Sequence, residues 1–331
     1  MSAQPSSNIH RAPGSTTATL RVGAHIAERG IRAILGVELG EVLRACGAFE
    51  WVTLTYLTWL LAVGSFFHRN LPAAPAFFLV HAALFLTIPM LAWLANRWPT
   101  PSMRFLRHFY FLPLWLFLFE ELNNLVHLIF PRWFDSWLIH FDHAIFRVYP
   151  WDWLGQFSSP ALNDVMQFGY MTYFLALIVL PAILYARKER RAFWTVLTAM
   201  ALAHYAVYVI AVLLPIESPF HAFPALQSAP LRGGAVTHMV ELIERFFRVR
   251  GAAFPSAHVA GAFAALLGAW HFRRWLFWIH LPLFVLMVIS TVYGRYHYAG
   301  DGLAGLLVGA VAYCAAQRFM LRSGAIPPEH T

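Results

Sequence analysis

Tyr293-Gly294-Arg295-Tyr296-His297-Tyr298-Ala299-Gly300-Asp301 lies between two long apolar runs, 275–292 and 302–317. A polar island so placed reads as a site at the rim of a membrane helix bundle. Residues four apart share one face of a helix, so Asp301 is expected to reach back to a ring nitrogen of His297. A carboxylate there fixes the imidazole tautomer and stabilises the imidazolium that forms when the other nitrogen attacks an electrophile. A capped helix end, a surface ion pair or half a metal site would leave the same spacing.

About forty residues upstream, Phe254-Pro255-Ser256-Ala257-His258 opens another apolar stretch at the same end. Pro and Ser suit a capped helix N-terminus. They also suit an anion site in which backbone N–H groups, the Ser256 hydroxyl and His258 converge. A hairpin of two apolar helices between the motifs lets both histidines face one point.

Pro255-Ser256-x-His258, followed by Tyr293, His297, Tyr298, Asp301, Leu303, Ala304 and Gly305 in a Tyr-x-x-x-His-Tyr-x-x-Asp-x-Leu-Ala-Gly pattern, resembles the phosphatidic acid phosphatase type 2 superfamily. The resemblance implies His297 as nucleophile, Asp301 as its orienter, His258 as acid for the leaving group and Ser256 as a phosphate contact. It implies no metal and no cofactor, because histidine, N–H groups and arginine supply the charge.

Two departures refine it. The family's first motif is Lys, six residues, then Arg-Pro; here Lys188 is the only lysine, position 195 is Thr and no Arg-Pro occurs. Thr291 also stands where the family has an Arg, six residues before the nucleophile. Both point to the branch that includes inositol phosphorylceramide synthases. That branch is similar in Asp142-x-x-Ile145-Phe146-x-x-x-Pro150, in Tyr170, Tyr173 and Pro181, and in Pro215-Ile216-Glu217-Ser218-Pro219, with Arg147 where Gly is usual. The resemblance covers roughly 110–317.

Composition agrees with a membrane protein. The 331 residues are 59% hydrophobic and 12% charged, with mean hydropathy +0.57, against about 25% charged in soluble domains. The net charge of +8 comes almost wholly from arginine. In such a chain it points to loops and lipid headgroups as partners rather than nucleic acid. Cys46 precedes the first apolar run and Cys314 sits in the last, so no disulfide framework is implied.

The expected fold is an all-α, multi-pass bundle of about eight transmembrane helices with a six-helix catalytic core and interfacial helices. Residues 1–47 form a Ser/Thr/Pro-rich tail and a surface helix with Ile31, Leu35, Leu39, Val42 and Leu43 on one stripe. Residues 48–108 hold two accessory spans, 109–320 the core, and 321–331 a tail. The spans are placed near 48–67, 74–95, 109–130, 165–186, 192–214, 255–272, 275–294 and 300–317, each close to the roughly 20 residues needed. Short basic loops (Arg97/Arg104/Arg107, Arg187/Lys188/Arg190/Arg191, Arg273/Arg274, Arg318/Arg322) fall on one side. By the positive-inside rule that side and both termini are cytoplasmic and both motifs extracytoplasmic. A bacterial cytoplasmic membrane is the expected location.

Between the spans, 131–164 carries Trp133, Trp137, Trp151 and Trp153, as interfacial helices do. In 236–250, an apolar stripe runs beside Arg245, Arg248 and Arg250. This is either a helix resting on anionic lipid or a lid whose arginines replace the missing cations as phosphate clamps. Arg295 either touches phosphate or snorkels. Glu121 and Asn124, with Glu120, Asn123 and His127, are expected to form a polar network, since a carboxylate at mid-membrane costs at least about 2.5 kcal/mol on insertion scales. Small residues at four-residue spacing (Ala257, Gly261, Ala265, Ala269; Gly305, Gly309) let helices pack closely.

The expected function is transfer of a phosphoryl or phosphodiester group of a membrane lipid through a phosphohistidine. The loss of three cations favours a singly charged phosphodiester, hence an inositol-phosphate-type headgroup transferase. A lipid phosphate or polyprenyl (pyro)phosphate phosphatase is the alternative. More distant are a transporter using the glutamates and a haem protein using His81, His204 or His280.

Overall fold

The computed structural model describes residues 38–223, 225 and 231–323. The expected N-terminal tail, Ile31 and Leu35 of the surface-helix stripe and the C-terminal tail beyond 323 lie outside these residues. The chain is all-α, 80% helical, with no strand among the described residues.

Five helices are long and apolar enough to cross a membrane: α3 (Ala74–Arg97), α9 (Pro160–Ala186), α10 (Arg190–Leu213), α14 (Arg274–Tyr293) and α15 (Ala299–Ser323). A sixth is counted if α1 (Leu39–Ala45) and α2 (Ala48–Phe66), which meet at a 112° bend, form one span. Two of the other expected spans differ in form: one is broken and one is short. The stretch 109–130 is interrupted at Tyr110 and Glu121, leaving α4 (Pro101–Phe109), α5 (Phe111–Glu120) and α6 (Leu122–Leu125). Pro113 lacks an N–H and crowds the carbonyl four residues back, which accounts for the first break. The stretch 255–272 yields α13 (Ala257–Phe272), only 16 residues, because its first residues are spent on the cap.

Helix α10 is the axis, with Trp194, Val196, Leu197, Met200 and Val207 buried. Around it pack α2, α13 and α15. The small-residue stripes work as expected. A Cβ on Gly305 would lie 2.8 Å from the Ser256 carbonyl, and one on Gly309 2.6 Å from that of Ala260. On α13, Gly261 leaves room for the His204 ring and Gly268 for Val196.

The accessory helices are tied on by a buried ion pair. Arg107 donates to Glu50 Oε1, to Asn96 Oδ1 and to the Ala45 carbonyl. The basic loops do gather at one end, where Arg273 pairs with Glu189. The interfacial segment folds as α7 (Asp135–Phe146) and α8 (Pro150–Gly155), followed later by α11 (Pro219–Ala222) and α12 (Ala235–Phe247). All four lie at the end opposite the Arg273–Glu189 pair. Trp137 and Trp153 are exposed, as interfacial tryptophans are, whereas Trp151 is buried in a small core with Leu138, Ile216 and Tyr298.

Candidate active site

Helix α15 begins at Ala299, so His297 sits in the turn before it and Asp301 in its first turn. The expected contact forms, though not along a helix face. Asp301 Oδ2 lies 3.2 Å from His297 Nδ1 and accepts the Tyr298 N–H at 2.8 Å. The Ala253 carbonyl is 2.9 Å from the same ring nitrogen. Both neighbours of Nδ1 are acceptors, so Nδ1 carries the proton and Nε2 keeps its lone pair.

Asp142, on α7, holds the start of α15. Its two carboxylate oxygens accept the Ala299 and Gly300 N–H groups, each at 2.8 Å. An anion at a helix N-terminus satisfies orphan donors and meets the favourable end of the dipole. Burial nonetheless raises its pKa above the ordinary value. Asp135, about two turns earlier, accepts the Glu217 N–H at 3.0 Å and the Tyr298 hydroxyl at 3.4 Å. Burial pushes it up to about 6. Sequence reasoning quoted Asp142 only as part of a resemblance, and assigned Asp135 nothing.

Ser256 is the N-cap of α13, its hydroxyl accepting the Val259 N–H at 3.3 Å. Its own N–H donates to the Asp301 carbonyl at 3.0 Å, joining the two motifs through backbone. It is fully buried and does not line the cavity beside His297, so its hydroxyl acts as a cap. His258, two residues on, faces His297 with ring centroids 5.7 Å apart. Its ring packs against Tyr170 and Tyr173, at 4.8 and 4.4 Å. The Tyr173 hydroxyl donates to His204 Nε2 at 2.7 Å, since His204 Nδ1 is spent on the Met200 carbonyl.

The expected arginines divide. Arg248 is bonded to Glu244 at 2.9 Å, lies over the Phe220 ring and borders the cavity containing His297. Arg250 pairs with Glu217 and lies over Trp133. Arg245 and Arg295 instead line a second, neighbouring cavity. Arg295 adopts a left-handed backbone, φ 64°. Burial lowers its pKa and Asp152 opposes that shift.

The cavity at His297 is about 590 Å³. Its polar end holds His258, His297, Tyr296, Ser218, Glu244 and Arg248, and its long apolar wall comes from α5 and α9. Of that wall, Leu116, Phe174 and Ile178 are exposed on the membrane-facing surface, so the cavity opens sideways between two helices.

A family model described as the PAP2 superfamily matches residues 136–315, more than half of the chain. The chain belongs to the PAP2 superfamily. No match was found among curated proteins or among solved structures. Members of the superfamily are phosphatases or phosphotransferases. The match begins just after Asp135 and ends within α15, so it contains Asp142, His258, His297 and the residues bonded to them. The polar corner of α5 and α6 lies outside it yet touches the site. Asn124 hydrogen-bonds Glu121, and the Arg250 N–H lies 3.4 Å from Asn123 Oδ1.

Proposed function

We propose that this PAP2 superfamily protein transfers the phosphoryl or phosphodiester group of a membrane lipid through a phosphohistidine on His297. The observation that carries the reading is the Nδ1 clamp: two acceptors hold the proton on Nδ1, leaving Nε2 unprotonated beside a cavity open to the membrane. Nε2 attacks phosphorus, a new N–P bond forms, and the bond to the lipid oxygen breaks. His258 gives that oxygen a proton. Asp301 and the Ala253 carbonyl stabilise the resulting imidazolium. In the second half an acceptor hydroxyl attacks phosphorus, passes its proton to His258 and frees His297.

Positioning and charge neutralisation dominate phosphoryl transfer. Arg248 borders the cavity and Arg250 stands behind it, already balanced by Glu217. This modest positive charge suits a singly charged phosphodiester better than a dianionic monoester. Headgroup transfer of the inositol-phosphate type is therefore favoured over hydrolysis, with the site on the extracytoplasmic side. The donor's chains would lie along the α5–α9 wall.

The test gives purified protein a phosphatidylinositol donor and, separately, phosphatidate or a polyprenyl phosphate. Movement of the headgroup between lipids, with a trapped acid-labile phosphohistidine lost in His297→Ala, is expected. Activity should survive EDTA. Fast release of inorganic phosphate with no headgroup moved would replace transfer with hydrolysis, and an active His297→Ala protein would end the mechanism.

A further inference from the structure

Ser256, the serine expected at the phosphate, spends its hydroxyl as a cap and stays out of the cavity at His297. A different serine lines that cavity. Ser218 is half-buried and stands just before α11, where a serine ordinarily accepts a helix N–H. Its hydroxyl makes no such bond. Instead Ser218 Oγ lies 3.1 Å from His221 Nδ1, three residues on.

The backbone on either side of Ser218 is tied to the turn that carries His297. The Ile216 N–H donates to the Gly251 carbonyl at 3.2 Å, and its carbonyl accepts the Ala253 N–H at 3.1 Å. Ala253 is the residue whose own carbonyl holds His297 Nδ1. The Glu217 N–H donates to Asp135, which also receives the Tyr298 hydroxyl. On the far side, the Phe220 N–H donates to the Arg295 carbonyl at 3.1 Å. Ser218 is thus fixed from both flanks to the residues around His297, with its side chain on the same cavity.

Its hydroxyl is also unlike its neighbours there. Tyr170, Tyr173 and Tyr296, which line the cavity too, give their protons to Glu244, His204 and Gln167. The partner of Ser218 can play either role. His221 is neutral at neutral pH, its pKa pushed down to about 4 by burial and by the Arg248 and Arg250 guanidiniums. A neutral imidazole has one N–H and one lone pair. With the proton on Nδ1, the ring donates to Ser218 Oγ and the serine's own proton turns to an acceptor in the cavity. A phosphoryl oxygen selects that tautomer.

We propose that Ser218 is a catalytic residue that donates a hydrogen bond to a non-bridging oxygen of the phosphoryl group at His297, with His221 as the positioning residue that holds its hydroxyl. Its use in turnover rests on the phosphohistidine reading; the oxyanion contact does not. No bond to Ser218 forms or breaks, and its proton stays on Oγ. The hydrogen bond strengthens as negative charge gathers on the phosphoryl oxygens during attack by Nε2. Arg248 borders the same cavity and is paired with Glu244, so a neutral donor supplements it without adding charge.

Orthovanadate, an oxyanion that takes the five-coordinate form of phosphorus in transfer, is titrated against the purified full chain and followed by vanadium NMR. Ser218→Ala should weaken binding about tenfold, the worth of a hydrogen bond to a charged group, and lower kcat more than it raises KM. Ser218→Thr, which keeps the hydroxyl, should recover most of the loss. His221→Ala, which leaves Ser218 in place but unheld, should also weaken binding, and His221→Asn, whose amide nitrogen reaches the place of Nδ1, should recover part. The His221 pair decides the matter if Ser218→Ala lowers the unfolding temperature. Unchanged affinity in both alanine variants, no recovery in either conservative one, or a wild-type protein that binds no vanadate would overturn the proposal. Turnover and vanadate binding that survive His297→Ala but weaken in Ser218→Ala would keep the contact and remove the phosphohistidine reading. The converse pattern would keep the phosphohistidine and remove Ser218.

Discussion

The Ser256 N–H donates to the carbonyl of Asp301 at 3.0 Å. One backbone hydrogen bond thus joins the start of the helix that carries His258 to the first turn of the helix that begins after His297. Its length depends on Gly305, whose missing Cβ would sit 2.8 Å from the Ser256 carbonyl. Gly305→Val should therefore cost about 1–3 kcal/mol by overpacking and lower kcat more than it changes KM. Thermal unfolding and steady-state kinetics check both; full activity with unchanged stability would show that the seam does not set the histidine spacing.

His297→Ala should abolish turnover, whereas Asp301→Asn should leave a measurable rate. In serine proteases the corresponding Asn costs about 10⁴-fold through the wrong tautomer. Here the Ala253 carbonyl also holds Nδ1, so a loss nearer about 10²-fold is expected. A loss equal to that of His297→Ala would mean the carbonyl contributes nothing.

Asp142→Asn replaces an acceptor by a donor facing either Ala299 N–H or Gly300 N–H. Leaving one of them unsatisfied should cost about 1–3 kcal/mol, read as a lower unfolding temperature. Activity should fall as well, because the turn carrying His297 is anchored there. Asp142→Glu, which keeps the charge, should recover part of both.

Asp135 makes stability depend on pH. Its folded pKa is raised to about 6 by burial, so the folded state binds the proton more tightly than the unfolded chain. The favourable contribution is fully present below the ordinary pKa near 4 and is lost as pH rises through about 6. Asp135→Asn should flatten that part of the stability curve. An unaltered curve between these values would show that Asp135 does not titrate there.

Sidedness is tested with Arg232→Cys and Lys188→Cys in a Cys314→Ser background. An impermeant reagent should label the first from outside intact cells and not the second. The reverse pattern would place the active site in the cytoplasm.

Much of the site was legible because its signals are local. The spacing of His297 and Asp301, the Pro-Ser start before His258 and the small-residue stripes each depend on a few neighbouring residues. What escaped was set by tertiary contacts. Asp142 acts across more than 150 residues of chain on two N–H groups, and nothing near it in sequence announces a helix end. The arginines in and just after α12 looked equivalent on a helical stripe, yet Arg248, paired with Glu244, borders the cavity at His297 while Arg245 lines only the neighbouring one. Hydropathy located the apolar runs but does not register the break near Pro113 or the residues spent on capping α13.

Glu244, Arg248 and Tyr296 line both the cavity at His297 and its neighbour, which has a consequence for inhibitor design. A greasy compound would fill the chamber along α5 and α9, and a water-soluble one the chamber around α12. Neither alone would span the partition. A molecule with one end for each chamber, joined by a short linker mimicking a phosphodiester, would gain from both through effective concentration. Tyr296→Ala, by removing the divider, should erase that advantage and leave such a molecule little better than its two halves.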